Sequence, residues 1–289
     1  MKACILTLGC KVNQYESNQL ARKYSDEGYE IQQKFIPDAD IYIVNTCAVT
    51  AHAEKKSRNF VSRCERAGKK VIVCGCFGDR SLNLSLTCDA LQPRKRAFIK
   101  VQDGCNNFCS YCIVPYLRGR NTSRKTADII PEIVRANKPV VLTGIDLSSY
   151  GLDIGTNLGE LCAAVDKCGL PFELSSIEVG IINDKFIENL RNCKNFIPKF
   201  HVPLQSGSDK VLRDMNRKYI GEQYLAAIKK IRDAFPDAVL STDVIIGYPT
   251  ETPDDLKMTH EIIAKAGFAK VHTFPYSDRY LERFRQKPN

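Results

Sequence analysis

Apolar residues along this chain gather in short runs, separated by longer stretches in which they recur at helical spacing. "ACILTL" near the N-terminus is a continuous apolar run of strand length, and "NQYESNQLARKYSDEG" after it is amphipathic up to Gly28. "DIYIVN" predicts a second strand, "VTAHAEKKSRNFVSRCERAG" a helix ending at Gly68, and "KKVIVCG" a third strand. Strands alternating with helices predict an open parallel sheet with helices on its faces over residues 1–78. Residues 79–96, "DRSLNLSLTCDALQPRKR", have weak periodicity and a basic end, and read as a connector.

A second pattern fills 97–289. Its strands are "AFIKV", "PVVLTGI", "FELSSIEV", "IPKFHVPL", "AVLSTDVII" and "AKVHTFPY", with helices at about 126–136, 157–168, 183–192, 207–214, 221–234 and 253–266. Six strand–helix repeats predict a partial (β/α)6 barrel, with an open sheet as the alternative. The fold class is α/β in both units. In either geometry, functional side chains belong where strands end and loops begin.

Composition changes this picture little. Apolar content of 44% and charged content of 26% are ordinary for a soluble globular protein. The 42 Lys and Arg outweigh 33 Asp and Glu, a net +9 that fits an anionic partner such as nucleic acid and equally a generally cationic surface. The N-terminus lacks the apolar core of a signal peptide, and no run approaches the ~18 apolar residues of a membrane span. The expected location is cytoplasmic, where thiols stay reduced. The 13 cysteines are then metal ligands, reactive thiols or small buried residues rather than a disulfide framework.

"DGCNNFCSYC" places Cys105, Cys109 and Cys112 at C-x3-C-x2-C spacing directly after the strand "AFIKVQ". Zinc sites usually pair two C-x2-C knuckles, and no second knuckle occurs. An iron–sulfur cluster takes thiolates and leaves a position open when only three are supplied. The surrounding Asp, Asn and Gly make the segment too polar for core. Cys10, Cys47 and Cys76 each follow a predicted parallel strand, so their carboxyl ends share one sheet edge and can converge on one site; ordinary strand-end cysteines are the alternative. Cys4, Cys64, Cys74, Cys88, Cys162, Cys168 and Cys193 read as structural, although period-two alternation points Cys74 the same way as Cys76.

These residues carry a resemblance. C-x3-C-x2-C after the first strand of a partial barrel resembles the radical S-adenosylmethionine superfamily. "TLGCKVNQYES", "NTCAVTAHAEKKSR", "CGCF", "VPYLRGRNTSR", "SSIE", "HVPLQSGS" and "STDVIIGYPTET" together resemble its methylthiotransferases over nearly the whole chain. "LGCKVNQ" and "NTCAVT" look most like the branch acting on N6-threonylcarbamoyladenosine in tRNA. The resemblance implies two [4Fe–4S] clusters, one on Cys105, Cys109 and Cys112 and an auxiliary one on Cys10, Cys47 and Cys76. S-adenosylmethionine would chelate the open iron of the first, with Tyr111 near its adenine, and give the 5′-deoxyadenosyl radical that takes hydrogen from C2 of the target adenine. The auxiliary cluster would carry the sulfur that is methylated and joined to C2. The implied partners are a tRNA anticodon stem-loop, an electron donor such as flavodoxin or ferredoxin, and a sulfur source. The enzyme is expected to be a monomer and to contact no membrane.

Further positions follow from strand ends. Gly144 lets the backbone approach a ligand after the second barrel strand, by resemblance the methionine amino group. Glu178, ending the third, is suited to accept hydrogen bonds from a ribose or ammonium. Gln205 and Ser206 follow the fourth and offer polar contacts. Asp243 lies in the fifth, by resemblance beside the cofactor's adenine. His201 reads as a satisfied core histidine. Arg118, Arg120 and Arg124 make a basic loop suited to tRNA phosphates or a cofactor carboxylate. Lys55, Lys56 and Arg58 lie near a helix N-terminus, where cations are unfavourable unless an anion is present, a hint of RNA.

Relatives of this kind usually continue into a small β-barrel RNA-binding domain of the TRAM type. This sequence stops after "VHTFPYSDRYLERFRQKPN", whose Arg279, Arg283, Arg285 and Lys287 offer partial compensation, and the stretch from Cys76 to Cys105 is short. The alternative functions are another radical methylthiotransferase or methylase, acting on a different tRNA base or a ribosomal protein, and a non-catalytic iron–sulfur RNA-binding relative.

Overall fold

The computed structural model describes residues 1–76, 78 and 95–278. The expected connector and the basic tail fall almost wholly outside them. The N-terminal unit runs β1 (Lys2–Thr7), α1 (Lys11–Asp26), β2 (Glu30–Gln32), β3 (Ile41–Thr46), α2 (Ala51–Glu65) and β4 (Lys70–Gly75). Its four strands are parallel in the order β2-β1-β3-β4. All six residues of β3 are buried, which is why that strand is a continuous apolar run ending in Asn and Thr. Strand β2 escapes sequence reading because it is a short, polar edge strand with no alternation to find.

The chain reverses direction across the sheet between β1 and β3. In an open parallel sheet such a switch leaves a crevice beyond the carboxyl ends of the two strands. Those ends are nearly flush: Thr7 pairs with Asn45, and Thr46 with Gly75. Pairing then continues past the strands through Leu8 N–H to Asn45 O and Cys76 N–H to Thr46 O.

The second unit begins with β5 (Ala97–Lys100) and the two-residue β6 (Gln102–Asp103). Then come α3 (Val114–Arg118), the two-residue β7 (Thr122–Ser123), α4 (Thr126–Ala136), β8 (Val140–Thr143), α5 (Leu158–Asp166) and β9 (Phe172–Leu174). The chain goes on through α6 (Asp184–Arg191), β10 (Lys199–His201), α7 (Asp209–Asp214), α8 (Gly221–Ala234), β11 (Val239–Ile246), α9 (Pro253–Ala266) and β12 (Lys270–Pro275). Parallel strands β5-β8-β9 and β10-β11-β12 form two three-stranded pieces. Parallel bridges from Phe172 to Phe196 and from Ser176 to His201 join them into one six-stranded curved sheet, the expected partial barrel. Its core is a single apolar cluster that includes Ile99, Leu142, Phe172, Phe200, Leu240 and Val244.

Three features here depart from the sequence pattern. The barrel strands are shorter than their apolar runs, because β9 and β10 turn into loops after three residues. The pair β6–β7 is an antiparallel staple closing residues 104–121 into one excursion, too brief to leave a periodic signature. The five-residue α3 lies inside that excursion. Among the described residues no helix is long and apolar enough to cross a membrane.

Helix α1 packs on its own sheet and also on β5. Its buried polar residues include Asn13, Glu16, Ser17, Asn18 and Gln19; Asn13 and Glu16 meet Arg118 of the second unit, while Ser17 accepts from Asn45 Nδ2 in its own sheet. Tyr15 packs there with Phe98 and Val141.

Candidate functional site

Cys10 lies at the N-cap of α1, beyond β1. Cys47 follows β3 and Cys76 follows β4, both buried. The three come together: the Cys47 and Cys76 thiols hydrogen bond, and Cys10 lies close enough to act on both electrostatically. Sharing one proton drives Cys76 below the ordinary thiol range and Cys47 far above it; burial raises both, and the Arg118 charge adds to the fall at Cys76.

Glycines make the convergence possible. Gly9 has φ +98°, and a Cβ there would lie 2.8 Å from Cys47 Cβ and 2.9 Å from its sulfur. Gly75, at φ +85°, turns the chain between Cys74 and Cys76. Cys74 therefore stays in the sheet core while Cys76 leaves for the edge, and the expected common direction of the two does not hold.

The second triplet sits in the stapled excursion. Cys105 N–H donates to Gly119 O, and Cys112 N–H to Cys109 O, folding the loop on itself. Burial, with minor repulsion among the three cysteines, pushes the Cys105 thiol up to about 12 and Cys112 up to about 11. The Cys105 thiol lies 3.8 Å from Asp146 Oδ2, and Asn107 N–H donates to the Cys105 sulfur at 3.4 Å. Arg217 Nη1 donates to the Cys109 sulfur at 3.4 Å, while its Nη2 pairs with Glu178. A thiol-only donor set with cationic and N–H neighbours suits sulfur-rich clusters. Among the described residues no three His, Cys, Asp or Glu side chains are set to close on a single ion. A cluster instead spreads its protein ligands over several irons, which fits both triplets.

A cavity of about 200 Å³ opens beside them. Val49 and Thr50 line it from the N-terminal unit, Tyr111 from the cysteine loop, and Gln205, Asp243 and Tyr276 from the barrel. Burial holds the Tyr111 hydroxyl well above its ordinary value. Gln205 reaches the cavity in a left-handed backbone conformation, φ +64°, uncommon for a side-chain-bearing residue and frequent near functional sites. Asp243 is 3.1 Å from His201 Nε2, whose Nδ1 meets Ser241 Oγ, so His201 is partnered as expected and also supports a cavity residue.

Other expected residues lie elsewhere. Ser206 is fully buried, and its hydroxyl accepts Ser208 N–H in the turn rather than facing the cavity. At Gly144 the close approach is made by Gln102, whose Oε1 would lie 2.6 Å from an added Cβ. Arg118 and Arg124 are not available to external phosphates. Arg118 is buried against Glu16 and Asn13, and Arg124 pairs with Glu132 at 2.9 Å beside Tyr15, because α1 closes over both arginines. Arg120 is exposed over the Phe108 ring. Lys55 and Lys56 are exposed on α2, while Arg58 is turned to Glu54.

Sequence reading missed Asn13, Asp146, Arg217 and Gln102. Gln102 gathers the loop base: its Nε2 donates to Gly104 O and Asn121 Oδ1, and its Oε1 accepts Asp146 N–H. Asn13, Gln102 and Asp146 lie within or beside the cysteine and strand-end segments and Arg217 does not, but the role of each depends on a partner dozens of residues away.

Comparison with known proteins agrees with this architecture. Residues 99–263 match the radical SAM superfamily, and residues 2–88 match the uncharacterized protein family UPF0004. The threonylcarbamoyladenosine tRNA methylthiotransferase MtaB of Thermotoga maritima is 33% identical over 95% of this chain and 74% of its own length. The MtaB of Chlamydia pneumoniae is 36% identical over the same shares. A tRNA-2-methylthio-N(6)-dimethylallyladenosine synthase of Caldicellulosiruptor saccharolyticus is 32% identical over 99% of this chain and 73% of its own. In fold, the radical S-adenosylmethionine methyltransferase TsrM of Kitasatospora setae superposes with a TM-score of 0.66 over 99% of this chain and 78% of its own, at 13% identity. The chain is accordingly an enzyme, a transferase working with [4Fe–4S] and S-adenosylmethionine, and it belongs to the radical S-adenosylmethionine methylthiotransferase family.

Proposed function

We propose that this enzyme adds a methylthio group to C2 of N6-threonylcarbamoyladenosine in a tRNA anticodon loop, using two [4Fe–4S] clusters. The observation that carries this is the meeting of Cys10, Cys47 and Cys76 at one sheet edge, with the second triplet and the cavity across the same seam. In this reading residues 1–78 hold the auxiliary cluster, 79–96 connect, and 97–289 form the radical core. When bound, the clusters and S-adenosylmethionine supply one-electron activation of the C2–H bond and the methylthio group.

The chain's own residues hold and orient. Cys105, Cys109 and Cys112 ligate the cluster that S-adenosylmethionine meets, and Arg217 and Asn107 donate toward its sulfur ligands. Tyr111, Gln205 and Asp243 line the space for an adenine-sized group. Glu178, held by Arg217, offers its carboxylate to a ribose or ammonium. Exposed Lys55, Lys56 and Arg120 are among the basic residues placed to meet tRNA phosphates. The electron donor would be a flavodoxin or ferredoxin, with a separate sulfur source.

The likeness to dimethylallyladenosine synthases favours one second reading, the same chemistry on the isopentenylated adenosine. The experiment is nucleoside mass spectrometry after incubating the reconstituted enzyme with each hypomodified tRNA. A 2-methylthio product only on threonylcarbamoyladenosine is expected. Product only on the isopentenylated base moves the substrate, and none on either rejects the assignment.

A further inference from the structure

Arg118 reaches toward both cysteine triplets from a side chain that is 2% exposed. Toward the N-terminal unit, its Nη2 donates to Asn13 Oδ1 at 2.6 Å. Asn13 in turn directs its amide to Leu8 O at 2.7 Å and Thr46 O at 2.8 Å, the carbonyls leading into Gly9-Cys10 and Cys47. Toward the barrel, Nη1 lies 3.5 Å from Asp103 Oδ2, and Asp103 Oδ1 accepts Gly104 N–H at the entrance to Cys105. Glu16 takes a paired contact, 2.6 Å from Nη1 and 3.1 Å from Nη2. The buried Nε–H has no hydrogen-bond partner, and Cys76 lies within reach of the guanidinium. One side chain thus touches a support of each cysteine loop and faces the third N-terminal sulfur.

We propose that Arg118 is a positioning residue for the N-terminal cluster: it fixes the Cys10 and Cys47 loops through Asn13, and its charge, set beside Cys76, favours the reduced state of the group those cysteines hold. The proposal rests on the assignment of a cluster to Cys10, Cys47 and Cys76. The charges around it are balanced, with Lys100 and Arg118 against Glu16 and Asp103. Loss of the guanidinium leaves a net anion in a buried pocket beside the sulfur ligands, which disfavours an added electron.

The test isolates this cluster in the full chain carrying Cys105→Ala, Cys109→Ala and Cys112→Ala, reconstituted anaerobically. Redox titration followed by electron paramagnetic resonance is made with Arg118, Arg118→Gln and Arg118→Lys. The expected result is a more negative potential and an altered signal in Arg118→Gln, with Arg118→Lys returning the potential toward the parent. In the enzyme with all of its cysteines intact, Arg118→Gln should lower methylthiolated product about tenfold or more. Unchanged potential and signal in Arg118→Gln overturn the proposal. If Arg118→Gln holds no iron, a parental potential in Arg118→Lys still supports it, and loss of iron in both variants overturns it in favour of a packing role. A parent variant that binds no iron rejects the cluster assignment itself, and the proposal with it.

Discussion

The guanidinium of Arg118 lies 2.6 Å from the side-chain oxygen of Asn13, and the two residues belong to different units, Asn13 on α1 and Arg118 at the end of α3. The contact joins a cysteine-bearing sheet edge to a cysteine-bearing loop through two side chains. It also accounts for the buried Asn13 and Glu16 of α1, which meet an arginine rather than water. The paired Glu16 and Asp103 outweigh the burial that opposes the Arg118 charge and hold that charge firmly in place.

Removing one member of this buried group should be costly, because it leaves charge without compensation. Glu16→Gln is expected to lower stability by about 3 kcal/mol. Denaturant unfolding reads the change, and an unaltered midpoint would show that the seam is relaxed by water in solution.

Gly9 should be intolerant of a side chain. Gly9→Ala would drive a methyl group into Cys47 at a backbone angle that suits glycine. The expected outcome is loss of roughly half the bound iron, with the Cys105 triplet still loaded. Full iron content in this variant would mean that the Cys47 loop does not hold cluster.

Gly104 plays the matching part on the barrel. Its φ is +73°, and an added Cβ would lie 1.9 Å from Arg120 O. Gly104→Ala should open the stapled loop and abolish formation of 5′-deoxyadenosine while sparing the N-terminal iron. Retention of that product at the parental rate would separate the loop base from cluster assembly.

Acid stability should depend on Asp255. Lys210, Ser208 and Thr252 hydrogen bond its carboxylate and hold it well below its ordinary value of 3.8. A carboxyl depressed on folding contributes stability that is present above its unfolded value and fades as pH falls through the folded one. Unfolding measured from neutral to acid pH should show this loss, and Asp255→Asn should flatten that part of the profile. An equally steep profile in the variant would assign it to other carboxylates.

Much of the fold was legible because long amphipathic stretches announce themselves. The helix expected at 126–136 occupies Thr126–Ala136, and that at 221–234 occupies Gly221–Ala234. The cysteine triplets were legible because they follow strands, and strand ends in parallel sheets share an edge. What escaped was set by partners distant in sequence. Arg118 and Arg124 looked like a solvent-facing basic loop, since nothing local reveals that Glu16 and Glu132 meet them. The buried Asn13 and Glu16 of α1 likewise matched a solvated helix surface. Gly144 and Ser206 follow their strands as expected, yet the Gln102 side chain packs on the first and the Ser208 backbone N–H bonds the second, rather than the cavity claiming them.

Each cysteine triplet should hold its own cluster across the seam. Iron and acid-labile sulfide should be counted in anaerobically reconstituted enzyme, in the Cys10/Cys47/Cys76→Ala chain and in the Cys105/Cys109/Cys112→Ala chain. Two clusters are expected in the parent and one in each variant. A parent with a single cluster, lost only when Cys105, Cys109 and Cys112 are replaced, would contradict this.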